Sequence, residues 1–262
     1  MLYPRILPCL LVHKKGLVKT EKFTVPKYVG DPINAVRIFN EKEVDELIVL
    51  DIDATVEKRE PDYKMIENLA SECRMPLCYG GGIKTVEQAE KIFSLGVEKI
   101  AISSSAIENP SLIKDIAVRV GSQSVVVVLD IKKGFFGGYE IVTHNAKKKT
   151  GLNPIEYVKE LQNLGIGEIV INSVDNDGLM KGYDLKLIDE IYKIVKVPLT
   201  VLGGAGSLSD VKELINKYEI IGLSAGSLFV FKGKYKAVLI NYPSHEEKEK
   251  LIKNNILKVS NV

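Results

Sequence analysis

The chain has 262 residues and 45% of them are hydrophobic, which is enough for one domain with a large core. Its 36 basic and 34 acidic residues give a formal net charge of +2, so composition supplies no electrostatic reason to expect nucleic acid or a membrane surface as a partner. The start of the chain shows no signal-peptide pattern, and the three cysteines match no zinc or redox spacing, so we expect a cytoplasmic protein without a metal or cofactor.

Eight short apolar or β-branched runs predict strands along the chain. They lie near Ile6–Val12, Leu47–Leu50, Pro76–Tyr79, Lys99–Ile102, Ser124–Leu129, Glu168–Ile171, Pro198–Leu202 and Ile220–Leu223. Most of them lack an alternating polar face, as is typical of parallel strands that are covered on both sides. Helical periodicity occupies the intervals, for example at Thr85–Leu95 and Ser207–Tyr218. Eight alternating strand–helix units predict an α/β fold, the (βα)₈ TIM barrel, with an open doubly wound sheet as the alternative.

The chain also contains an internal repeat with an offset of 122 residues. Gly81-Gly82 recurs as Gly203-Gly204, and Glu46 recurs as Glu168. Two diverged halves of this kind predict pseudo-symmetric half-barrels at about 1–120 and 121–240. No linker composition interrupts them, so we expect a single domain over 1–262 with a C-terminal helical tail at about 241–262.

Segments rich in glycine and serine follow two predicted strands in each half. They are Gly80-Gly81-Gly82 and Ser103-Ser104-Ser105 in the first half, and Gly203-Gly204-Ala205-Gly206 and Ala225-Gly226-Ser227 in the second. Such segments let backbone N–H groups approach an anion closely, although glycines also serve tight strand-to-helix corners. Two matching copies favour phosphate binding, and hence a phosphorylated small-molecule substrate with a phosphate at each end. The predicted contacts are Gly81, Gly82, Ser104, Gly203, Gly204, Gly226 and Ser227.

Carboxylates at the predicted strand ends are candidates for proton transfer. Asp130 follows the apolar run 125–129, and a carboxylate at the carboxyl end of a barrel strand is typical of a catalytic acid or base. It could instead cap a neighbouring loop. Asp177 follows the sixth strand, while Asp51 and Asp53 follow the second, and one member of such a pair could form an Asx turn.

The remaining charged or titratable candidates are fewer. Polar insertions follow the first and fifth strands, at 14–31 and 132–150, and are expected at the catalytic face of the barrel. Lys19 lies in the first insertion and could neutralise a phosphate or an oxyanion. The three histidines, His13, His144 and His245, show no nucleophile or metal partner at a recognisable spacing. We therefore assign them no role from the sequence.

Four charged residues lie at or beside the amino ends of predicted strands: Arg5, Glu46, Lys99 and Glu168. In a barrel these ends meet at the face opposite the catalytic loops. Two cations and two anions there could form a ring around the barrel axis. On physical grounds alone we favour a salt-bridged plug that stabilises the fold.

Several motifs make the sequence similar to one known family over nearly the whole chain. They include Arg5-Ile6-Leu7-Pro8-Cys9-Leu10, Gly30-Asp31-Pro32, Gly121-Ser122-Gln123, Gly182-Tyr183-Asp184 and Gly203-Gly204-Ala205-Gly206. The chain resembles the cyclase (HisF-type) subunit of imidazole glycerol phosphate synthase. That subunit is a (βα)₈ barrel enzyme that receives ammonia from a glutaminase partner in a heterodimer.

The resemblance implies roles for residues already singled out. It implies that Arg5, Glu46, Lys99 and Glu168 form an ammonia gate facing the glutaminase, which replaces the plain plug. It also implies that Asp130 is a catalytic acid/base and that Lys19 and Asp177 line the substrate site.

The sequence departs from the family's pattern on the catalytic face. Leu11 occupies the position of an aspartate that shares the acid/base work with Asp130 in the family, and leucine cannot transfer a proton. Ser103, Leu179 and Leu202 stand where the family has asparagine, threonine and serine. We therefore expect a reaction other than the family's usual cyclisation.

The segments 225–233 and 238–243 resemble a side branch of the family that is found with surface-polysaccharide (lipopolysaccharide) gene sets. That resemblance implies delivery of ammonia, with a glutaminase and a third sugar amidotransferase protein, to convert an N-acetyl sugar into an acetamidino sugar. One alternative is an authentic cyclase subunit, which converts phosphoribulosyl-formimino-AICAR phosphate into imidazole glycerol phosphate and AICAR in histidine biosynthesis. Another is a non-catalytic conduit that binds phosphate and leaves the chemistry to a partner.

Overall fold

Because the predicted runs are apolar on both faces, they form the strands of one closed parallel barrel in the computed structural model, which describes residues 3–134, 137–218 and 220–259. The barrel strands are β1 (Arg5–His13), β2 (Leu47–Asp51), β3 (Leu77–Gly80), β4 (Lys99–Ile102), β5 (Val125–Lys133), β6 (Glu168–Ser173), β7 (Leu199–Leu202) and β8 (Gly222–Ala225). Each strand pairs in parallel with the next, and β8 pairs with β1, where Leu7 lies beside Ser224. The predicted TIM barrel is confirmed, and the open sheet is wrong.

Helices surround the barrel in the order that the periodicity predicts. They are α1 (Pro32–Glu41), α2 (Tyr63–Glu72), α3 (Val86–Ser94), α4 (Ser104–Glu108), α5 (Ser111–Val120), α6 (Pro154–Leu161), α7 (Leu185–Tyr192), α8 (Leu208–Tyr218), α9 (Ser227–Val230) and α10 (His245–Val259). Thr85 begins α3 with a capping box, and the side chain of Ser207 accepts from the Asp210 N–H at the start of α8. None of the described helices combines the length and apolar character that crossing a membrane requires.

Two apolar regions hold the barrel together. The larger region packs the outer side of the strands against the helices and includes the fully buried Phe39, Ile92 and Leu214. A smaller cluster fills the barrel interior: Leu7, Cys9, Ile48, Cys78, Ala101, Val126, Val128, Val170 and Leu202. The interior between the two polar ends of the barrel is therefore an apolar, side-chain-filled core.

The two polar insertions, 14–31 and 132–150, form antiparallel extensions of the sheet. Strand β1 turns back through Lys14 and Lys15 into the strands Gly16–Lys19 and Lys27–Gly30. Strand β5 pairs with Tyr139–Thr143, which pairs in turn with Lys148–Lys149. The extensions occupy equivalent places in the two halves, as the repeat predicts, and both stand at the carboxyl ends of the barrel strands.

The C-terminal segment returns to the amino ends of the strands. Two short strands, Phe231–Lys232 and Ala237–Val238, precede it, and α10 begins at residue 245, later than the predicted start of the tail. The Tyr242 hydroxyl donates to the carbonyl oxygen of Ile6 at 2.8 Å, and Lys248 pairs with Asp45 at 2.9 Å. The tail therefore fixes the start of β1 at the base of the barrel.

Candidate active site

A cavity of about 540 Å³ opens at the carboxyl ends of the strands. Seven of the predicted site residues line it: Lys19, Gly81, Gly82, Ser104, Asp130, Asp177 and Gly226. Gly203, Gly204 and Ser227 lie on the same face, after β7 and at the start of α9, but are not among the lining residues. The cavity thus joins the acid, the cation and the first glycine segment, whereas Gly226 is the one residue of the second half's glycine- and serine-rich segments that lines it.

Asp130 lies near the end of β5, beside Asn172 on β6. The strand register places the two residues side by side, and Asn172 Nδ2 donates to Asp130 Oδ1 at 2.9 Å. Burial raises the pKa of Asp130 to about 7, because it outweighs the lowering effect of the hydrogen bond from Asn172, and the negative charge of Asp177 adds to the rise. A carboxyl group that titrates near neutrality can both give and take a proton, as general acid/base catalysis requires.

Lys19 is a buried cation in the cavity wall. Its Nζ donates to the carbonyl oxygen of Cys9 at 2.5 Å and packs over Gly226, where a Cβ would lie 2.0 Å from Nζ. Burial lowers the pKa of Lys19, while the charge of Asp177 opposes that change. Asp177 accepts from Thr20 Oγ1 at 3.0 Å, and burial raises its pKa. A side chain at residue 226 would therefore displace the amine from this position, where it can neutralise an anion in the cavity.

The paired glycines Gly81-Gly82 and Gly203-Gly204 adopt left-handed conformations at all four positions. A Cβ on the first glycine of each pair would lie 2.5 Å from the carbonyl oxygen of Asp51 and 2.6 Å from that of Ser173, respectively. Close packing against the neighbouring strand end therefore requires glycine at both places, whether or not an anion binds. Phosphate binding by these segments stays a prediction.

His13 and Asp53 form a pair that the sequence did not predict. His13 Nδ1 lies 2.7 Å from Asp53 Oδ1, and the N–H of Lys14 donates to Asp53 Oδ2 at 2.8 Å. Asp51 is the Asx residue of this segment, since its Oδ1 accepts from the N–H groups of Asp53 and Ala54 at 2.9 and 3.1 Å. Asp53 is thereby free to orient a histidine whose side chain is 27% exposed and lines the cavity.

Apolar side chains line the deep part of the cavity. Leu11, Leu50, Val128 and Leu202 face it from four strands, next to the interior cluster. Leu11 and Leu202 are two of the positions at which we expect a departure from the family's pattern; of the other two, Ser103 also lines the cavity and Leu179 does not. Such walls exclude water from the acid, which is the physical cause of its raised pKa.

At the opposite end of the barrel, the four predicted ring residues meet. Arg5 pairs with Glu46 and lies 2.8 Å from Glu168. Lys99 Nζ lies 2.8 Å from Glu46 and 3.0 Å from Glu168, and Thr200 Oγ1 donates to Glu168 at 2.5 Å. Cations and anions therefore alternate around the barrel axis, at the base of the apolar interior.

The two glutamates of the ring are nearly inaccessible to water, since each is 4% exposed, whereas the side chains of Arg5 and Lys99 are 29% and 20% exposed. Burial by itself would raise the pKa of Glu168, but the charges of Arg5 and Lys99 lower it overall. The pKa of Lys99 is raised by Glu168 and Glu46 despite the opposing effect of burial. The geometry fits a stabilising plug and a closed gate equally well, because both need a compact set of paired charges.

The described residues offer neither a cluster of metal ligands nor a reactive thiol in the site. Within the described ranges, no group of three or more histidine, cysteine, aspartate or glutamate side chains is placed to hold a metal ion. Cys9, Cys73 and Cys78 are free, and burial raises the pKa of Cys9 to about 11. At neutral pH Cys9 is therefore a protonated thiol and a poor nucleophile.

Comparisons with known proteins agree with this architecture. A family model described as "Histidine biosynthesis protein" matches residues 5–236. A Vibrio vulnificus protein, provisionally named imidazole glycerol phosphate synthase subunit hisF3, is 60% identical over 96% of this chain and 97% of its own. A Pseudomonas aeruginosa protein, provisionally named subunit hisF2 of the same synthase, is 54% identical over 93% of this chain and 97% of its own. An Alkaliphilus metalliredigens protein named imidazole glycerol phosphate synthase subunit HisF is 39% identical over 87% of this chain and 91% of its own.

Proposed function

Since this chain belongs to the histidine biosynthesis protein family, among the HisF-type subunits of imidazole glycerol phosphate synthase, we propose that it uses ammonia from a glutaminase to amidate a phosphorylated sugar. The proposed complex is a heterodimer of this chain with a HisH-type glutaminase in the cytoplasm. A third sugar amidotransferase protein acts with it. The product is an acetamidino sugar for a surface polysaccharide such as lipopolysaccharide.

The base of the barrel supports the entry of ammonia. The ring of Arg5, Glu46, Lys99 and Glu168 leads directly to an apolar interior that ends at the cavity. Neutral ammonia can cross an apolar core, whereas ammonium and other ions are excluded by the cost of desolvation. The proposed path therefore runs from a glutaminase docked at the base to the substrate at the opposite face.

The cavity supports a phosphorylated substrate. The first glycine segment and Ser104 form one wall, and the buried amine of Lys19 supplies a positive charge nearby. Gly203, Gly204 and Ser227 of the second half are proposed to hold another phosphate, as their matching backbone suggests. Asp130, near the end of β5, is proposed as the proton donor and acceptor in the same cavity.

We choose this reaction because Leu11 lines the cavity. The deep part of the cavity presents this leucine where an acid would serve a cyclase, while the charged ring and Asp130 are retained. A site of this kind can receive ammonia but has lost one acid/base group of the family's cyclisation. The numbered names hisF2 and hisF3 of the relatives suit paralogues that work beside a pathway enzyme.

The experiment is reconstitution of the purified chain with a glutaminase. We expect co-elution of the two proteins and, in cells that lack this chain, restoration of acetamidino sugar in the polysaccharide, measured by mass spectrometry. Lys99→Ala is expected to uncouple glutamine use from product while activity with added ammonium salt persists. Lys114→Ala, on the exposed side of α5, is the matched control. Glutamine-dependent product formation that is unchanged in Lys99→Ala would contradict the gate.

A second candidate is an authentic cyclase of histidine biosynthesis, which Asp130, Lys19 and Asp177 in one cavity favour. This candidate predicts that the chain, expressed with a glutaminase, rescues a histidine auxotroph that lacks its cyclase subunit. Growth without histidine would support the cyclase and contradict the sugar-amidation proposal.

A further inference from the structure

Besides Asp130, the cavity is lined by a histidine that a carboxylate holds in place. His13 lies two residues after Leu11 on β1, so both side chains project from the same face of that strand, and both line the cavity. The histidine ring is held by a carboxylate at 2.7 Å, and that carboxylate is itself fixed by the backbone N–H of Lys14 at 2.8 Å. The side chain is therefore oriented by a buried group while remaining open to the cavity.

We propose that His13, oriented by Asp53, is the second acid/base group of this cavity and works with Asp130 in the addition of ammonia. This inference rests on the proposed function for the use of ammonia. It adds a catalytic residue, His13, and a positioning residue, Asp53. Histidine–aspartate pairs serve this purpose because the carboxylate fixes the tautomer with Nδ1 protonated and leaves Nε2 able to accept a proton.

Two other carboxylates of the cavity wall, Asp51 and Asp177, are engaged elsewhere. Asp51 accepts two backbone N–H groups and lies 3.5 Å from Arg59. The carboxylate of Asp177 accepts from Thr20 and lies in the field of Lys19. His13 instead has one nitrogen oriented by Asp53 and presents the rest of its ring to the cavity.

A second histidine of the cavity, His144, is placed differently. Its Nδ1 lies 3.0 Å from the hydroxyl of Thr143, and its Nε2 lies 3.9 Å from Glu108. Both ring nitrogens of His144 therefore have neighbours outside the substrate space. Among the two histidines that line the cavity, His13 has the arrangement of a proton carrier.

The proposed step is the addition of ammonia to a C=O bond of the bound substrate. The nitrogen lone pair forms the C–N bond, the π electrons move onto oxygen, and that oxygen takes the proton of neutral Asp130. The ammonium nitrogen so formed passes one proton to Nε2 of His13, and the carboxylate of Asp53 stabilises the imidazolium. The product is a carbinolamine, and proton exchange with solvent then restores Asp130 and His13.

The test compares His13→Gln with the wild-type chain, in complex with the glutaminase, on two acceptors. One is phosphoribulosyl-formimino-AICAR phosphate with ammonium salt in vitro, and the other is the polysaccharide sugar in complemented cells. For each acceptor that the wild type uses, His13→Gln is expected to lower the rate by ~10²-fold or more, with little change in the KM measured in vitro. His245→Gln, at the exposed start of α10, is the control and should match the wild type.

Asp53→Asn separates orientation from proton transfer. In the full-length protein, ¹⁵N NMR of the histidine side chains should show His13 protonated at Nδ1 in the wild type and shifted toward the Nε2-protonated tautomer in Asp53→Asn. The rate of ammonia addition should also fall in Asp53→Asn, since a histidine that is protonated at Nε2 cannot accept a proton there. A folded Asp53→Asn protein with an unchanged tautomer would overturn the positioning role.

The outcomes distinguish this inference from the function on which it rests. A wild type that uses neither acceptor overturns the proposed function and this inference together. Wild-type activity that survives in a folded His13→Gln overturns this inference alone.

Discussion

At the scale of single residues, the burial of Asp130 links the stability of the protein to the proposed chemistry. Its carboxyl group faces a cavity whose deep walls are Leu11, Val128 and Leu202, and it receives one hydrogen bond from Asn172. Those walls raise its pKa to about 7, far above the ordinary value of 3.8. A group with a raised acid pKa opposes folding wherever the unfolded chain would ionise it freely.

Asp130→Asn should therefore stabilise the protein while abolishing proton transfer. Burial of Asp130 does not lower the free energy of unfolding below pH 3.8, but it lowers it increasingly as the pH rises toward about 7. The free energy of unfolding of Asp130→Asn should therefore exceed that of the wild type most at pH 8. We expect a gain of roughly 1–3 kcal/mol in the free energy of unfolding at pH 8 and almost none at pH 4. Urea denaturation at the two pH values measures the difference.

Activity provides the companion measurement for Asp130→Asn. The reconstituted complex should lose ~10²-fold or more of its rate, because asparagine cannot donate a proton to the substrate oxygen. Full turnover in this variant would instead favour a conduit that leaves the chemistry to a partner.

The site residues differ in how far the sequence could predict them. Asp130, Lys19 and Asp177 could be placed because each follows a strand, and the ends of parallel strands converge. The pair of His13 and Asp53 could not, since its members are 40 residues apart and meet only through the register of β1 on β2. The sequence pattern shows which residues share a face of one strand. Which residues of neighbouring strands come into contact depends also on the register between those strands.

At the scale of elements, the two extensions after β1 and β5 show what the sequence left open. Their polar composition predicted insertions at the catalytic face, but not their antiparallel pairing. The first turns through Lys14 and Lys15, both with positive φ, where glycine or asparagine is usual. The second turns through three consecutive left-handed residues, His144 to Ala146, and Asn145 Nδ2 donates to the carbonyl oxygen of Ile52 at 2.9 Å.

Lys15→Gly should relieve strain in the first turn. Lys15 has φ +65°, a conformation that costs an L-residue energy and glycine little. We expect the free energy of unfolding to rise by about 0.5–1 kcal/mol, measured by urea denaturation. Lys114→Gly, in the exposed middle of α5, should lower it by about 1 kcal/mol. A loss of stability in Lys15→Gly would show that the lysine side chain, rather than its backbone, governs this turn.

At the scale of the whole molecule, the charged ring joins the two halves of the repeat. Glu46 and Glu168 are equivalent positions, and Arg5 and Lys99 each contact both of them. The base of the barrel is therefore closed by contacts that cross the pseudo-symmetry axis. The division of the chain near residue 120 stays a prediction, while the ring shows that Glu168 of the second half is paired with two cations of the first.

Glu168→Gln should lower stability in a pH-dependent way. The pKa of Glu168 is lowered in the folded protein, so its contribution is complete above the ordinary value of 4.5 and is lost as pH falls through the folded value. We expect the variant to be less stable by ~1–3 kcal/mol at pH 7, because it leaves two cations with one partner fewer. The gap to the wild type should narrow in urea denaturation as the pH falls below 4.5, and a gap of constant size would contradict the assignment.

The pairing of β8 with β1 has a consequence for the order in which the protein folds. Leu7 accepts a hydrogen bond from Ser224, 217 residues further along the chain, and Tyr242 then anchors the start of β1 from outside the barrel. One edge of β1 therefore stays unpaired during synthesis until nearly the whole chain has left the ribosome. The barrel cannot close before β8 has been synthesised, so we expect closure to be among the last folding events of the nascent protein.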